Sequence, residues 1–101
     1  ALNVTPDYIR ELAALGYSGL SPEDLVEAKA VGIRPDYVRD LAAAGYRNLR
    51  LEQLVELRAL GVTGAYIERF RRAGHRGLTV DQLVEMKAHG IKPEDLYGDG
   101  P

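Results

Sequence analysis

The chain has 101 residues, is 46% hydrophobic and 28% charged, and carries a net charge of −2, the balance of one small globular domain. The absence of cysteine excludes a disulfide framework, a thiol nucleophile and a thiolate metal site, and the slight acidity argues against a general nucleic-acid binder. No apolar run is long enough for a bilayer, no signal-peptide pattern is visible, and folding a chain of this size withdraws roughly 65% of its surface from water, which allows only a thin core.

Sliding the chain against itself gives a gapless match at an offset of 29. The units are residues 5–33, 34–62 and 63–91, and the first two agree at 16 of 29 positions. Residues 1–4 match the close of a unit, with Asn3 where each full unit has a glycine, and asparagine is the next best residue for a left-handed backbone. Lys92-Pro93-Glu94-Asp95-Leu96 reopens a unit. This pattern reads as a segment of a longer array, or an array that ends here, in one domain spanning 1–101.

Each unit predicts two short helices. In the first, Thr5 is an N-cap followed by Pro6, and the helix stops at Gly16; Ser21 and Pro22 open the second, which stops at Gly32. Cap and glycine are eleven residues apart in both, so each helix is about 16 Å long. Acids occupy first turns (Asp7, Glu23, Asp36, Glu52, Asp81) and bases last turns (Lys29, Arg58, Lys87), as the helix dipole favours. Tyr8, Ile9, Leu12 and Leu15 share the expected buried face of the first helix. Leu25, Val26, Ala28 and Ala30 form that of the second, and Ala13, Ala14, Ala28 and Ala30 permit close approach. In the second unit Arg34 and Arg50 replace the capping hydroxyls, each at a cost of ~1 kcal/mol. An isolated helix pair is marginal in water, and stacking copies buries its faces. The expected fold is therefore all-α: six helices in three hairpins, stacked as a short α-solenoid with a partial unit at each end.

The candidate partner-binding residues are Tyr8, Tyr37, Tyr66, Arg69, Arg72 and Arg76. The tyrosines recur at one position of the first helix, where they either line a peptide groove or plug the joints between units with the hydroxyl at the rim. Tyr17, Tyr46 and His75 follow a terminating glycine, as a surface aromatic row or as helix-closing contacts. Lys29, Arg58 and Lys87 fall in the apolar face of the second helix, where they either pack their stems with the heads leaving over the helix end or bind an anionic partner. Glu27, Glu56 and Glu85 recur in all three units, as a carboxylate row for a cation or acid–base chemistry or, as their place in the polar face favours, as solvated or ion-paired residues. By unit the charge runs −3, +1, +2, and residues 92–101 add −2. The arginines of the third unit either form a basic patch for an acidic peptide, phosphate or lipid headgroup, or are compensated by Asp81, Glu85, Glu94 or Asp95. Two histidines, His75 and His89, make a poor metal set. No metal or cofactor is expected, and no phosphate loop, nucleophile elbow or metalloprotease motif occurs.

The run Leu51 to Thr63, with Leu51, Leu54, Leu57, Arg58-Ala59-Leu60-Gly61-Val62-Thr63, and the run Tyr37 to Tyr46, ending Ala44-Gly45-Tyr46, carry a resemblance. They are similar to the tandem tail repeats of BlaR/MecR-type antirepressor membrane metallopeptidases and related bacterial envelope-signalling proteins. The resemblance covers nearly the whole chain. It implies an accessory segment of a larger bacterial protein, extracytoplasmic in placement. The zinc-binding helix of such peptidases has no counterpart, so no catalytic residue is carried over.

The expected function is a non-catalytic helical-repeat module for protein or peptide interaction, monomeric or weakly self-associating. The rival is a polyanion-binding solenoid (nucleic acid, phosphate or lipid headgroup) using the third unit, or a structural spacer. No specific nucleic acid is expected as partner.

Overall fold

The computed structural model describes residues 4–92 and Asp95. It is all-helical, with six helices and no strand among the described residues: α1 Pro6–Ala14, α2 Pro22–Val31, α3 Pro35–Ala43, α4 Leu51–Leu60, α5 Gly64–Arg72 and α6 Val80–Ala88. None of them is long and apolar enough to cross a membrane. The glycine-like role of Asn3 and the reopening at Pro93, Glu94 and Leu96 lie outside the described residues.

Local chemistry sets each boundary. Thr5 Oγ1 accepts from Tyr8 N at 3.1 Å, Thr63 Oγ1 from Tyr66 N at 3.2 Å, and Ser21–Asp24 and Thr79–Gln82 form full capping boxes. Arg34 supplies no side-chain cap. Arg50 has no oxygen to accept with, yet half a box survives, because Gln53 Oε1 accepts from Arg50 N at 2.8 Å. The C-terminal ends are uniform. Gly16, at φ +102°, lets the chain fold back so that Tyr17 N reaches Leu12 O at 2.9 Å. Gly32, at φ +90°, does the same for Ile33 N and Ala28 O at 2.8 Å. The same six-to-one bond recurs after Gly45, Gly61, Gly74 and Gly90. In each case the residue after the glycine is turned inward: Ile33 is 1% and Val62 0% exposed.

The principal helix–helix contacts run between units rather than within them. α1 packs on α3 and α3 on α5, while α2 packs on α4 and α4 on α6. The two rows lie along a body of 54 × 22 × 17 Å. Leu12, Ile33, Leu41, Leu54, Leu57, Val62, Phe70 and Leu83 fill the space between them and are fully buried, each removing an apolar side chain worth about 1.5–3 kcal/mol from water.

The expected helix faces need correction at one end. Ile9 is 41% and Val26 47% exposed, although their counterparts Val38 and Ile67 are 7% and 5% exposed and Val55 and Val84 are half-buried. The later residues are covered by the unit before them, and the described chain has no helix ahead of α1. Among the alanines only Ala28 is fully buried; Ala13 is half-buried, and Ala14 and Ala30 face outward.

Candidate functional site

Two kinds of side-chain assembly recur along the body. The first is built on Tyr8, Tyr37 and Tyr66. Each starts near the N-terminus of an odd-numbered helix and points across the unit to its far end. The hydroxyl of Tyr8 donates to Ile33 O at 2.6 Å, that of Tyr66 to Ile91 O at 2.8 Å, and that of Tyr37 to Val62 O. A cation covers each ring: Lys29 Nζ lies 4.6 Å from the Tyr8 centroid, Arg58 Cζ 5.4 Å from that of Tyr37, and Lys87 Nζ 5.1 Å from that of Tyr66. Such contacts contribute about 0.5–1 kcal/mol each at partly exposed sites. Arg58 also bridges units, its Nε donating to Gly32 O at 3.1 Å.

Burial raises the pKa of all three phenols. Tyr37 is pushed to about 12, chiefly by burial, with Arg58 pulling the value down and Asp40 pushing it up. The tyrosine rings and hydroxyls are thus engaged inside each unit, Tyr8 and Tyr66 at 5% and 8% exposure. Tyr8 still edges a hollow of about 480 Å³, in which Asp7 and Glu11 offset Lys29 and Arg34.

The second assembly follows the loops between odd and even helices. Tyr46 closes α3 and then reaches into the third unit, donating its hydroxyl to Leu78 O at 2.6 Å. Beside it opens a cavity of about 410 Å³ lined by Tyr46, Arg71, His75, Arg76 and Thr79. Arg71 spans the same joint: Nη2 donates to Ala44 O at 3.0 Å, and Nη1 pairs with Glu68 at 3.1 Å. His75 sits edge-on to Phe70, centroids 6.4 Å apart. Arg76 is exposed at the rim. One unit earlier the same place holds a smaller cavity of about 260 Å³, lined by Tyr17, Ala42, Tyr46, Arg47 and Asn48. Position for position the third unit replaces Ala42 by Arg71 and Tyr46 by His75, and keeps the arginine of Arg47 as Arg76.

The structure therefore divides the expected arginine cluster. Arg76 lines the loop-edge cavity, joined by Arg71, which the charge pattern alone did not single out. Arg69 lies toward Tyr66, where its charge lowers a phenol pKa that burial has raised. Arg72 is exposed on α5. Among the described residues neither Asp81 nor Glu85 forms an ion pair with Arg72 or Arg76. Asp95 accepts from Lys92 N at 2.9 Å, and Glu94 lies outside the described residues. Glu27, Glu56 and Glu85 are exposed, and no group of three metal-ligating side chains occurs among the described residues.

Comparison of the chain with models of protein families, with curated proteins and with solved structures finds no match.

Proposed function

We infer that this chain is a non-catalytic interaction module, three helix–turn–helix units stacked as a short α-solenoid, that holds an acidic peptide segment of a protein partner in the cavity between its second and third units. The observation that carries this reading is the lining of that cavity. Arg76 presents a guanidinium to solvent, Arg71 and His75 add donors, and Tyr46 and His75 offer flat ring surface to an apolar side chain. A guanidinium recognises a carboxylate through two parallel hydrogen bonds, and a concave site lined partly by rings adds apolar contact. Stacking of units supports the reading, since Tyr46 and Arg71 both cross the joint and hold the two walls of the cavity in one register. The resemblance to bacterial tail repeats agrees with an accessory segment of a larger envelope protein.

A second reading, a polyanion surface for nucleic acid, phosphate or lipid headgroups, draws on the +2 charge of the third unit. It is disfavoured by the −3 charge of the first unit, which a long polyanion lying along the body would also meet.

The test is titration calorimetry with an Asp/Glu-rich peptide carrying one aromatic residue, its Asn/Gln counterpart, a heparin-like polyanion and anionic vesicles. The acidic peptide is expected to bind, to weaken as salt rises, and to lose about tenfold or more in affinity with Arg76→Ala. Equal binding of the neutral peptide, or no effect of Arg76→Ala, would remove the acidic-peptide reading. Preference for heparin or vesicles would move the conclusion to the second reading.

A further inference from the structure

The interior joint between the first and second units holds the smaller loop-edge cavity, of about 260 Å³, and its lining is graded in polarity. Val38 and Leu54, both buried, and Leu15, half-buried, form its inner end. Tyr17 and Tyr46 flank it, and both hydroxyls are engaged. That of Tyr17 lies within hydrogen-bonding reach of the Leu49 backbone, and that of Tyr46 donates to Leu78 O at 2.6 Å. The polar side chains left at the mouth are Arg47 and Asn48, both exposed, and among the described residues none that lines the cavity is acidic. Arg47 Nε donates to Ala42 O at 3.5 Å, which sets the guanidinium beside the lining residue Ala42 and leaves its two terminal amino groups with no protein partner among the described residues. Asn48 stands where the first and third units have Gly19 and Gly77, so its amide is an addition found at this joint alone of the two.

We propose that this cavity binds a small apolar monocarboxylate, its body among Leu15, Val38 and Leu54 and its carboxylate on Arg47 with Asn48 beside it. The charge fits one anionic head, since a single guanidinium stands at the mouth and no acid opposes it. The paired N–H groups of a guanidinium match the two oxygens of a carboxylate, and an apolar hollow with a few placed polar groups is the usual make-up of a small-molecule site. Size restricts the ligand: about 260 Å³ lies below the ~300–1,000 Å³ of sites for drug-sized molecules, which leaves room for an acid on the scale of a phenylalkanoate. One unit on, Arg71 stands in place of Ala42 and lines the larger cavity with a second guanidinium, which suits a more highly charged ligand. The site at the first joint does not rest on the acidic-peptide reading.

Titration of the full chain with hydrocinnamate, followed by the backbone amide shifts in heteronuclear NMR, tests the proposal. Hydrocinnamide, of the same shape without the charge, is the control. The amides of Tyr46, Arg47, Asn48 and Leu49 should shift and saturate, with a Kd of about 1 mM or tighter. Hydrocinnamide on the natural chain, and hydrocinnamate on Arg47→Ala, should each bind about tenfold more weakly or less. Ala42→Leu should fill the cavity and abolish binding with its circular dichroism unchanged, because the same position carries Arg71 in the third unit. Arg47→Ala alters an exposed side chain, so it decides the matter even where Ala42→Leu loses its fold. Arg76→Ala should leave the affinity for hydrocinnamate as it was, and Arg47→Ala should leave that for the acidic peptide as it was, so the two sites stand or fall separately. The absence of a saturable shift overturns the proposal. So does equal binding of hydrocinnamide, indifference to Arg47→Ala, or a loss that follows Arg76→Ala instead.

Discussion

The joint between the second and third units contains a contact that decides the sign of a substitution. Gly64 opens α5, and its N–H donates to Asp40 Oδ2 at 2.8 Å. A methyl group built on Gly64 would lie 2.8 Å from Asp40 Cγ and 2.9 Å from Oδ2, so the carboxylate must leave. A hydrogen bond to a charged group is worth about 1.5–3 kcal/mol, and the exposure of Asp40 reduces that here to about 1–2 kcal/mol. Against this, alanine at a helical position gains about 0.4–1 kcal/mol by restricting the unfolded chain. Gly64→Ala should therefore destabilise by about 0.5–1 kcal/mol in the natural background. In an Asp40→Ala background no contact remains to lose, and the same substitution should stabilise. Urea unfolding of the four chains, monitored by circular dichroism, gives the coupling directly, expected at about 1–2 kcal/mol against the ~0.3–0.5 kcal/mol scatter of independent sites. Stabilisation by Gly64→Ala in both backgrounds would refute the reasoning.

Leu54, 1% exposed in the middle of the even row, should cost ~2–5 kcal/mol as Leu54→Ala, a large share of the ~5–15 kcal/mol of a typical domain; a loss under ~1 kcal/mol in chemical denaturation would mean the rows pack otherwise. Tyr37 should make the chain alkali-sensitive. Its folded pKa of about 12 lies above the ordinary phenol value of about 10, so its contribution is intact below pH 10 and is lost between pH 10 and about 12 as the unfolded chain ionises first. After solvent screening this share is about 1–2 kcal/mol, so the alkaline loss should shrink by that amount in Tyr37→Phe, the other raised tyrosines keeping theirs, and tyrosinate absorbance of the folded chain should show the delayed titration.

The helices were legible because their signals are local: a hydroxyl followed by proline, a glycine eleven residues on, acids early and bases late. The left-handed turn position between odd and even helices was less so. Gly19 and Gly77 occupy it at φ +73° and +71°, and Asn48 fills it in the second unit at φ +58°, which the repeat alignment could have flagged. The tyrosines and the cations of the even helices each stood out at 29-residue spacing, but their pairing did not, since Lys29 meets Tyr8 across a fold that no local pattern encodes. Arg71 was hidden for a similar reason. On the helix wheel it is one more arginine, and only the approach of α5 to the end of α3 gives it Ala44 O as a partner and a cavity to line. The exposure of Ile9 is a neighbour effect, invisible to a pattern that treats every unit as having a unit before it.

Comparing the units position by position separates structure from candidate chemistry. The joint positions repeat: a tyrosine, a cation over it, and a leucine, half-buried at Leu25 and fully buried at Leu54 and Leu83. The loop edge varies, Ala42 becoming Arg71 and Tyr46 becoming His75, and the cavity grows from about 260 to about 410 Å³. If the acidic peptide binds through that variation, it can be transplanted. Ala42→Arg alone would place a guanidinium beside Arg39, where Arg71 has Glu68 three residues before it. The double variant Arg39→Glu, Ala42→Arg restores the pairing and gives up an exposed Arg39–Asp36 contact of little worth. With Arg47 already at the rim, this chain should bind two equivalents of the acidic peptide in calorimetry, and Arg47→Ala should return it to one. A stoichiometry that stays at one, or a second equivalent indifferent to Arg47→Ala, would mean that the arginine pair is not what recognises the ligand.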